Sequence, residues 1–251
     1  MEILVCIKRV PLSGAKFSLT ADGRDIDTSR LGFTVSPHEE CAVEVAVRLV
    51  EQHGGSTTVL SLGVEDAEEQ IRDALAVGID EGILLVTDGE EWDAQATAGA
   101  IVDAIAESGK SFDLILFGNE SADASGNQVG IRVAHALSRP TLSGLKGVQV
   151  SDGVLVGERP AGSVREVFEV SLPAVATVKD GAAIPRYPSV PGRIRAKKKP
   201  VHRSTPTRPL SLLAKQSVSV PESVGKQTKI LGSGPEGISA LVDVFRSIGV
   251  I

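Results

Sequence analysis

Strand-like and helix-like patterns alternate along the first 140 residues, and this alternation constrains the fold more than any other feature of the chain. Each short apolar run, rich in branched side chains, is followed by a segment with helical periodicity. Such runs indicate strands buried on both faces, as in a parallel sheet covered by helices. The predicted strands are ILVCI (residues 3–7), TTVLSLG, GILLVT and FDLILFG (residues 112–118).

The first predicted helix has a well-defined start in SPHEECAVEVAVRLV. Ser36 stands at the N-cap, Pro37 at the first helical position, and Glu39 completes a capping box. Gly54 and Gly55 end this helix. Three further helices are predicted over residues 65–77, 93–108 and 128–137.

The pattern changes after residue 140. GLKGVQVSDGVLVGERP predicts a hairpin around Asp152 and Gly153, and REVFEVSLPAVATV predicts more extended chain. Residues 182–221 contain seven prolines, which exclude a long continuous helix there, and PEGISALVDVFRSIG predicts a short closing helix. We therefore expect an α/β fold, with a doubly wound, mostly parallel sheet, extra antiparallel strands and an extended C-terminal arm.

Charge is unevenly distributed along the chain. The formal net charge is -6, with -15 over residues 1–180 and +9 over the last 71 residues. Residues 181–221 hold nine Lys and Arg and no Asp or Glu. A nucleic acid is an unfavourable partner for this segment, because aromatic residues make up only 3% of the chain and the acidic body would repel a polyanion. A solvated linker is the second interpretation.

The stretch PRYPSVPGRIRAKKKPVHR (residues 185–203) favours a third interpretation. Val190 and Ile194 are apolar points in it, and Pro188 and Pro191 frame Val190. Because a loop stiffened by proline loses less entropy on binding, this stretch is typical of a protein-docking loop.

FGNESADASGNQVG (residues 117–130) is the best candidate for a ligand loop. It joins the fourth predicted strand to the fourth helix through small residues, which permit close backbone approach. Exposed N–H groups at a helix start suit a phosphate group. The loop is neither a P-loop nor a GxGxxG turn, and an ordinary strand-to-helix connection is the alternative.

The sequence contains no recognisable hydrolytic or metal-binding motif. GxSxG and HExxH are absent, and the two cysteines, Cys6 and Cys41, are interpreted as small buried hydrophobic residues in a reducing cytosol. No apolar run approaches eighteen residues and the opening MEILVCIKRV lacks a signal-peptide pattern, so we expect a cytoplasmic bacterial protein. The histidines stand apart from one another in the sequence, at His38, His53, His135 and His202.

Several ordered motifs resemble the small (beta) subunit of electron transfer flavoproteins. PRYPSVPGRIRAKKKP resembles that family's recognition loop, LVCIKRVP its first strand and SPHEECAVEVAVRL its first helix. IRDALAVGIDEGILL is similar to its R-x-A-L-A-x-G-A-D stretch, and GNESADASGNQVG to its nucleotide loop. The resemblance covers nearly the whole chain.

The resemblance implies an adenine nucleotide alpha hydrolase-like fold and a carrier subunit without its own catalytic site. It implies a heterodimer with a larger alpha subunit that holds the redox FAD, while the small subunit buries an AMP, or a second FAD in bifurcating members. Electrons would arrive from acyl-CoA dehydrogenase-type flavoenzymes and leave to a membrane quinone oxidoreductase. The expected parts are a nucleotide-binding domain (residues 1–184), a partner recognition loop with its basic cluster (185–203) and an arm on the alpha subunit (204–251). An ATP-hydrolysing stress-type protein is the alternative enzyme.

The resemblance also implies which residues hold the nucleotide. Val129 stands where AMP-binding members commonly have Thr, and Ser125 where some have a second Asp, so AMP and FAD both stay open. His38 occupies a position that is aromatic in some members and faces the alpha subunit's flavin. The implied nucleotide residues are Cys6, Ser36, Pro37, His38, Glu39, Leu62, Gly118, Asn119, Glu120, Asp123, Ser125, Gly126, Asn127, Gln128 and Val129.

A second group of residues is implied to meet partner proteins. Val190 falls where the family's docking Leu sits, and the lysines would steer encounter with acidic surfaces. Glu166 aligns with a glutamate that steadies the flavin domain through an alpha-subunit arginine, and a solvated strand residue is the alternative. The implied docking residues are Tyr187, Val190, Pro191, Ile194, Lys197, Lys198 and Lys199.

Overall fold

The computed structural model describes residues 1–12, 17–209, 213–221 and 228–251. The helices within these ranges are α1 (Pro37–His53), α2 (Glu68–Val77), α3 (Ala94–Glu107), α4 (Val129–Ala136), α5 (Val190–Ala196) and α6 (Gly237–Ser247). The strands are β1 (Glu2–Ile7), β2 (Arg9–Pro11), β3 (Phe33–Val35), β4 (Ser56–Gly63), β5 (Glu81–Val86), β6 (Leu114–Gly118), β7 (Thr141–Leu145), β8 (Gly147–Ser151), β9 (Val154–Ala161), β10 (Val164–Ser171), β11 (Ala174–Val178) and β12 (Val201–Ser204).

Seven of the strands form one parallel sheet in the order β12-β5-β4-β1-β6-β11-β7. β1 lies at the centre, where Cys6 pairs with Leu60 of β4 on one side and with Phe117 of β6 on the other. The chain builds outward from β1 to β4 and β5, and then returns to place β6 on the opposite side of β1. The point between β1 and β6 is therefore a topological switch point, where open α/β sheets bind ligands.

The core consists of two apolar layers, one on each face of this sheet. Ile3, Val5 and Ile7 of β1 belong to the layer that contains residues of α1 and α2, whereas Leu4 and Cys6 belong to the layer that contains residues of α3 and α4. Successive side chains of a strand point to opposite faces, so a strand with both faces covered must be apolar throughout. The prediction of a doubly wound parallel sheet from continuous apolar runs is confirmed.

The remaining strands are antiparallel. β8, β9 and β10 form a three-stranded sheet, and β2 pairs with β3. Between β8 and β9, both Asp152 (φ 50°) and Gly153 (φ 78°) have left-handed backbone conformations, as a tight two-residue hairpin turn requires. The predicted hairpin is confirmed.

Two strands of the main sheet are not recognisable from the local sequence. Residues 174–178 were expected only as extended chain, but β11 lies fully buried between β6 and β7. β12 lies in the proline-rich segment and pairs in parallel with β5 at the sheet edge. Pro200 directly precedes β12, a position at which a strand tolerates proline, and its carbonyl oxygen accepts the N–H of Gly82 at 3.0 Å.

The expected docking loop also contains regular structure. Residues 190–196 form the short helix α5, with Ser189 as N-cap and Pro191 in the first turn, where a proline N–H is not needed. The interpretation of this stretch as a loop throughout is therefore wrong, although no long helix is present there. Residues 65–77 likewise divide into a 3₁₀ turn and α2.

The predicted closing helix is confirmed as α6, none of whose residues is buried. Residues 210–212 and 222–227 of the expected arm lie outside the described residues. Across the parts of the chain that the structure describes, no helix is both long enough and apolar enough to cross a membrane.

Candidate functional site

The candidate site lies at the carboxyl ends of β1 and β6, beside the first turn of α1. The capping box predicted at Ser36 and Glu39 is formed, and the Ser36 hydroxyl also accepts the backbone N–H of Ala122 at 2.9 Å. Lys8, directly after β1, forms an ion pair with Asp123, with 2.5 Å between Nζ and Oδ2. Three segments distant in sequence are thus joined at the switch point.

Gly118 is the point of closest approach between the loop and α1. A Cβ at this position would lie 2.5 Å from Cγ of Glu39 and 3.2 Å from Cβ of His38. A glycine is needed because any side chain would drive the β6–α4 loop away from the helix start. At Gly126, by contrast, a Cβ would meet nothing within 4 Å, so the loop is open there.

The loop after β6 is held by its own amide side chains. Asn127 accepts a hydrogen bond from Asn119 at 2.6 Å and donates one to Glu120 at 3.0 Å. Ser125 (φ 46°) and Asn127 (φ 54°) both have left-handed backbones, which asparagine tolerates better than most residues. Residues 124–127 therefore form an exposed loop of small side chains with a defined conformation, whereas the Asp123 side chain before them is only 25% exposed.

Thr177, on β11, holds this loop through hydrogen bonds. Its hydroxyl donates to the Asn119 side-chain oxygen at 2.9 Å and accepts the N–H of Gly144 at 2.9 Å. Sequence reasoning missed Thr177 because only the pairing of β11 with β6 brings it to the site. Lys8 was missed as well, although its place directly after the first strand was a usable signal.

Burial and charge set the protonation of the site. Loss of water raises the pKa of Glu39 to about 8, although the backbone N–H groups of Lys8 and Ser36 partly offset this. Burial acts in the same direction on Asp123, but the charge and hydrogen bond of Lys8 outweigh it and lower the pKa of Asp123. Burial also raises the pKa of the Cys6 thiol. The raised pKa values favour the neutral forms of Glu39 and Cys6, whereas the lowered pKa favours the carboxylate form of Asp123.

The start of α4 adds a partial positive charge to the site. Gln128 is the N-cap residue, but its side chain makes no capping hydrogen bond and instead accepts two from Arg132, the nearer at 2.9 Å. The first N–H groups of a helix have no partner within it, so an anion can bind them. The partial positive charge and the available N–H groups at the start of α4 therefore suit a phosphate group.

The remaining predicted nucleotide residues lie around this centre. His38 is half-buried, and its Nδ1 is buried without a hydrogen-bond partner among the described residues. Leu62, at the end of β4, and Val129 both pack on the core layer beside α3 and α4. Pro37 is exposed in the first turn of α1. A polar group of a ligand would satisfy the His38 nitrogen.

The predicted docking residues are mostly exposed. Tyr187 is 97%, Val190 72% and Ile194 58% exposed, and Lys197 and Lys198 are also exposed. Lys199 differs, because its Nζ donates to the carbonyl oxygens of Leu75 and Ile79. The expectation that the Lys199 ammonium faces a partner protein is therefore wrong.

Glu166 lies on β10, directly opposite Arg159 of β9. Its Oε2 accepts a hydrogen bond from Nε of Arg159 at 2.6 Å, and both side chains are partly exposed. Glu166 thus has a partner within this chain. Among the residues that the structure describes, no three His, Cys, Asp or Glu side chains are grouped so that they could hold a metal ion.

Comparison with known proteins gives one consistent result. The sequence-family model of the electron transfer flavoprotein domain matches residues 25–209. The electron transfer flavoprotein subunit beta of Syntrophomonas wolfei is 37% identical over 202 residues, which are 80% of this chain and 78% of that protein. The subunit beta of Mycobacterium tuberculosis is 35% identical over 206 residues, 80% and 77% of the two chains. The subunit beta of Bacillus subtilis is 34% identical over 169 residues. This match spans 66% of this chain and 65%, just under two thirds, of that protein.

Proposed function

The chain belongs to the electron transfer flavoprotein family, in which its relatives are beta subunits, and from this premise we propose that it is the small subunit of a heterodimeric electron carrier. Its partner is a larger alpha subunit that holds the redox FAD. The small subunit scaffolds that protein and carries out no reaction of its own. A cytoplasmic location in a bacterium, which the free cysteines Cys6 and Cys41 support, is part of the proposal.

The nucleotide site is proposed to bind AMP. The observation that carries this proposal is the meeting of β1, the start of α1 and the β6–α4 loop at the switch point of the sheet. The phosphate is placed at the start of α4, near the small residues Ser125 and Gly126. Because burial raises the pKa of Glu39 to about 8, the neutral form that does not repel an anion is favoured at pH 7.

FAD in the same site is the second candidate. Val129 leaves room for it, because a valine at the start of α4 cannot donate the hydroxyl hydrogen bond that a threonine would offer to the phosphate of AMP, and this weakens the case for AMP. The unpartnered Nδ1 of His38 suits a polar atom of either ligand. A bound AMP serves as a structural ligand, whereas a second FAD would supply redox chemistry to a bifurcating carrier.

The exposed side of α5 is proposed to dock the electron donor. Val190 and Ile194 form an aliphatic tip, and Lys197 and Lys198 stand beside it. An acyl-CoA dehydrogenase-type flavoenzyme with an apolar pocket rimmed by acidic residues is the matching partner, and a membrane quinone oxidoreductase is the acceptor.

Cofactor identification tests the proposal. The chain is purified together with its alpha subunit and denatured, and the released nucleotides are separated and counted. One FAD and one AMP for each heterodimer is the expected result, and two FAD would establish the second candidate. A chain that binds neither nucleotide nor a flavin-bearing partner would contradict both, and sustained ATP hydrolysis by the chain would point to the stress-type enzyme instead.

A further inference from the structure

The helix α5 has two opposite faces. Gly192 and Ala196 are buried, whereas Val190 and Ile194 are exposed. Positions two residues apart on an α-helix are about 200° apart around its axis. Burial of the first pair therefore turns the second pair outward, and the direction of the aliphatic tip depends on what holds the buried face.

The buried face is held by α2. Gly192 lies so close to α2 that a Cβ would be 2.5 Å from the carbonyl oxygen of Ala76. The helix begins at the same contact, because the hydroxyl of the N-cap residue Ser189 accepts the Gly192 N–H at 3.1 Å. The glycine thus allows the two helices to touch through their backbones.

Lys199 and Arg72 each donate hydrogen bonds across the contact between α5 and α2. Lys199, just after α5, donates from Nζ to the carbonyl oxygens of Leu75, at 3.1 Å, and Ile79. Arg72 of α2 donates in return to the carbonyl oxygens of Ala196, at 2.7 Å, and Lys199, at 2.6 Å. Carbonyl groups at a helix end have no partner within the helix, and cations stabilise them. Each helix end is therefore capped by a side chain from the other segment.

Neither cation is available as a surface charge. Glu68, one turn before Arg72, accepts a hydrogen bond from its Nε at 2.9 Å and fixes the guanidinium. Lys199 is half-buried, in contrast to the exposed Lys197 and Lys198. The two residues are placed to hold α5 on α2, while the two lysines beside them face solvent.

We propose that Arg72 and Lys199 are positioning residues that fix the orientation of α5 toward its flavoenzyme partner. This role rests on the docking function proposed above. It also assigns a task to the stretch IRDALAVGID, which contains Arg72 and lies outside the nucleotide site. The stretch forms the seat on which the docking helix is held.

Amide hydrogen exchange on the heterodimer tests the packing of α5 on α2 and needs no electron-donor protein. In Arg72→Gln and in Lys199→Met we expect peptides over residues 187–199 to exchange about tenfold faster, because a charged hydrogen-bond donor to the helix end is lost. Peptides over β1 and α3 should keep their exchange rates. Lys197→Met is the matched control, since it removes the same charge from an exposed side chain two residues before Lys199, and Lys199→Arg should restore slow exchange. Unchanged exchange over residues 187–199, or an equal rise along the whole chain, would overturn the proposal.

Steady-state kinetics with a substrate-reduced acyl-CoA dehydrogenase tests the consequence for docking. We expect the KM of the dehydrogenase for the heterodimer to rise about fivefold to tenfold in Arg72→Gln and Lys199→Met, with the kcat of the dehydrogenase and the nucleotide content of the heterodimer unchanged. If Val190→Ala raises KM but these two variants do not, the positioning role is wrong while the docking function stands. If Val190→Ala has no effect either, the docking function fails, and hydrogen exchange still decides whether α2 holds α5.

Discussion

Glu39 and Gly118 pack so closely that a Cβ at position 118 would lie 2.5 Å from Cγ of Glu39 and 3.0 Å from its backbone nitrogen. One atom is a side-chain carbon of a buried helix start and the other belongs to the backbone, so neither can move freely. This contact joins the nucleotide loop to α1.

Gly118→Ala should therefore open the site. We expect a loss of roughly 1–3 kcal/mol in the free energy of unfolding from overpacking, together with loss of the bound nucleotide. Denaturant unfolding and assay of released nucleotide measure the two effects. Gly99→Ala in α3 is the control, since a Cβ there meets nothing within 4 Å and alanine favours the helix. A Gly118→Ala protein with full stability and full nucleotide content would show that the contact is not needed.

The buried carboxyl of Glu39 predicts a particular dependence of stability on pH. Its pKa rises from 4.5 to about 8 on folding, so the folded protein binds the proton more tightly than the unfolded chain. This contribution to stability is complete below about pH 4.5 and is lost as the pH rises through about 8. Glu39→Gln keeps a neutral side chain at every pH.

The unfolding free energy of Glu39→Gln should therefore increase relative to the original chain between pH 5 and pH 9, by a few kcal/mol at most. Other titrating groups cancel in this difference. Chemical denaturation at a series of pH values provides the measurement, and a difference that stays constant across the range would mean that Glu39 titrates normally.

Val190 offers a test of the docking surface. Val190→Ala removes two methyl groups from the exposed tip of α5 and should raise the KM of an acyl-CoA dehydrogenase for the heterodimer by up to about tenfold. Val190→Leu adds one methylene, worth roughly 0.8 kcal/mol if the partner's pocket buries it, and should lower KM about fourfold. Chemical reduction of the flavin by dithionite should be equal in all three proteins. Equal KM values would remove Val190 from the docking surface.

The pair formed by Arg159 and Glu166 allows an intrachain role to be separated from a role toward the alpha subunit. Both side chains are partly exposed, so the pair should contribute less than about 1 kcal/mol to stability. If Glu166 pairs with an arginine of the alpha subunit, Glu166→Gln should change the rate of electron transfer from the dehydrogenase. Arg159→Gln should change it in the opposite direction, because it releases Glu166 from its competing partner. Stopped-flow reduction of the flavin measures both rates, and two changes of the same sign would indicate that only the intrachain pair matters.

Much of the candidate nucleotide site could be predicted because its parts carry local signals. The capping box at Ser36 and Glu39 and the glycine-containing loop after β6 are each encoded within a few consecutive residues. The place where they meet follows from the switch point of a doubly wound sheet. Family resemblance added the individual residues, and the structure joins most of them by direct contacts.

The direction of the lysine side chains could not be predicted. Lys197, Lys198 and Lys199 are identical and consecutive, yet Lys197 and Lys198 are exposed while Lys199 reaches the carbonyl oxygens of Leu75 in α2 and of Ile79 just after it. A lysine has a long flexible side chain, so its direction depends on which acceptors tertiary packing brings within reach. Helix formation by residues 190–196 could not be predicted either. A seven-residue helix is too short to be stable alone and needs the contact of Gly192 and Ala196 with α2.

Local sequence patterns were enough to predict the buried strands β1, β4, β5 and β6, the helices between them and the glycines of the loop, since hydrophobic periodicity and backbone conformation are local properties. The folded structure was needed to find that β11 pairs with β6, that β12 joins the sheet edge beside β5, and that Thr177 therefore belongs to the site. Strand pairing between segments far apart in the chain depends on how the whole core closes. No short stretch of sequence contains that information.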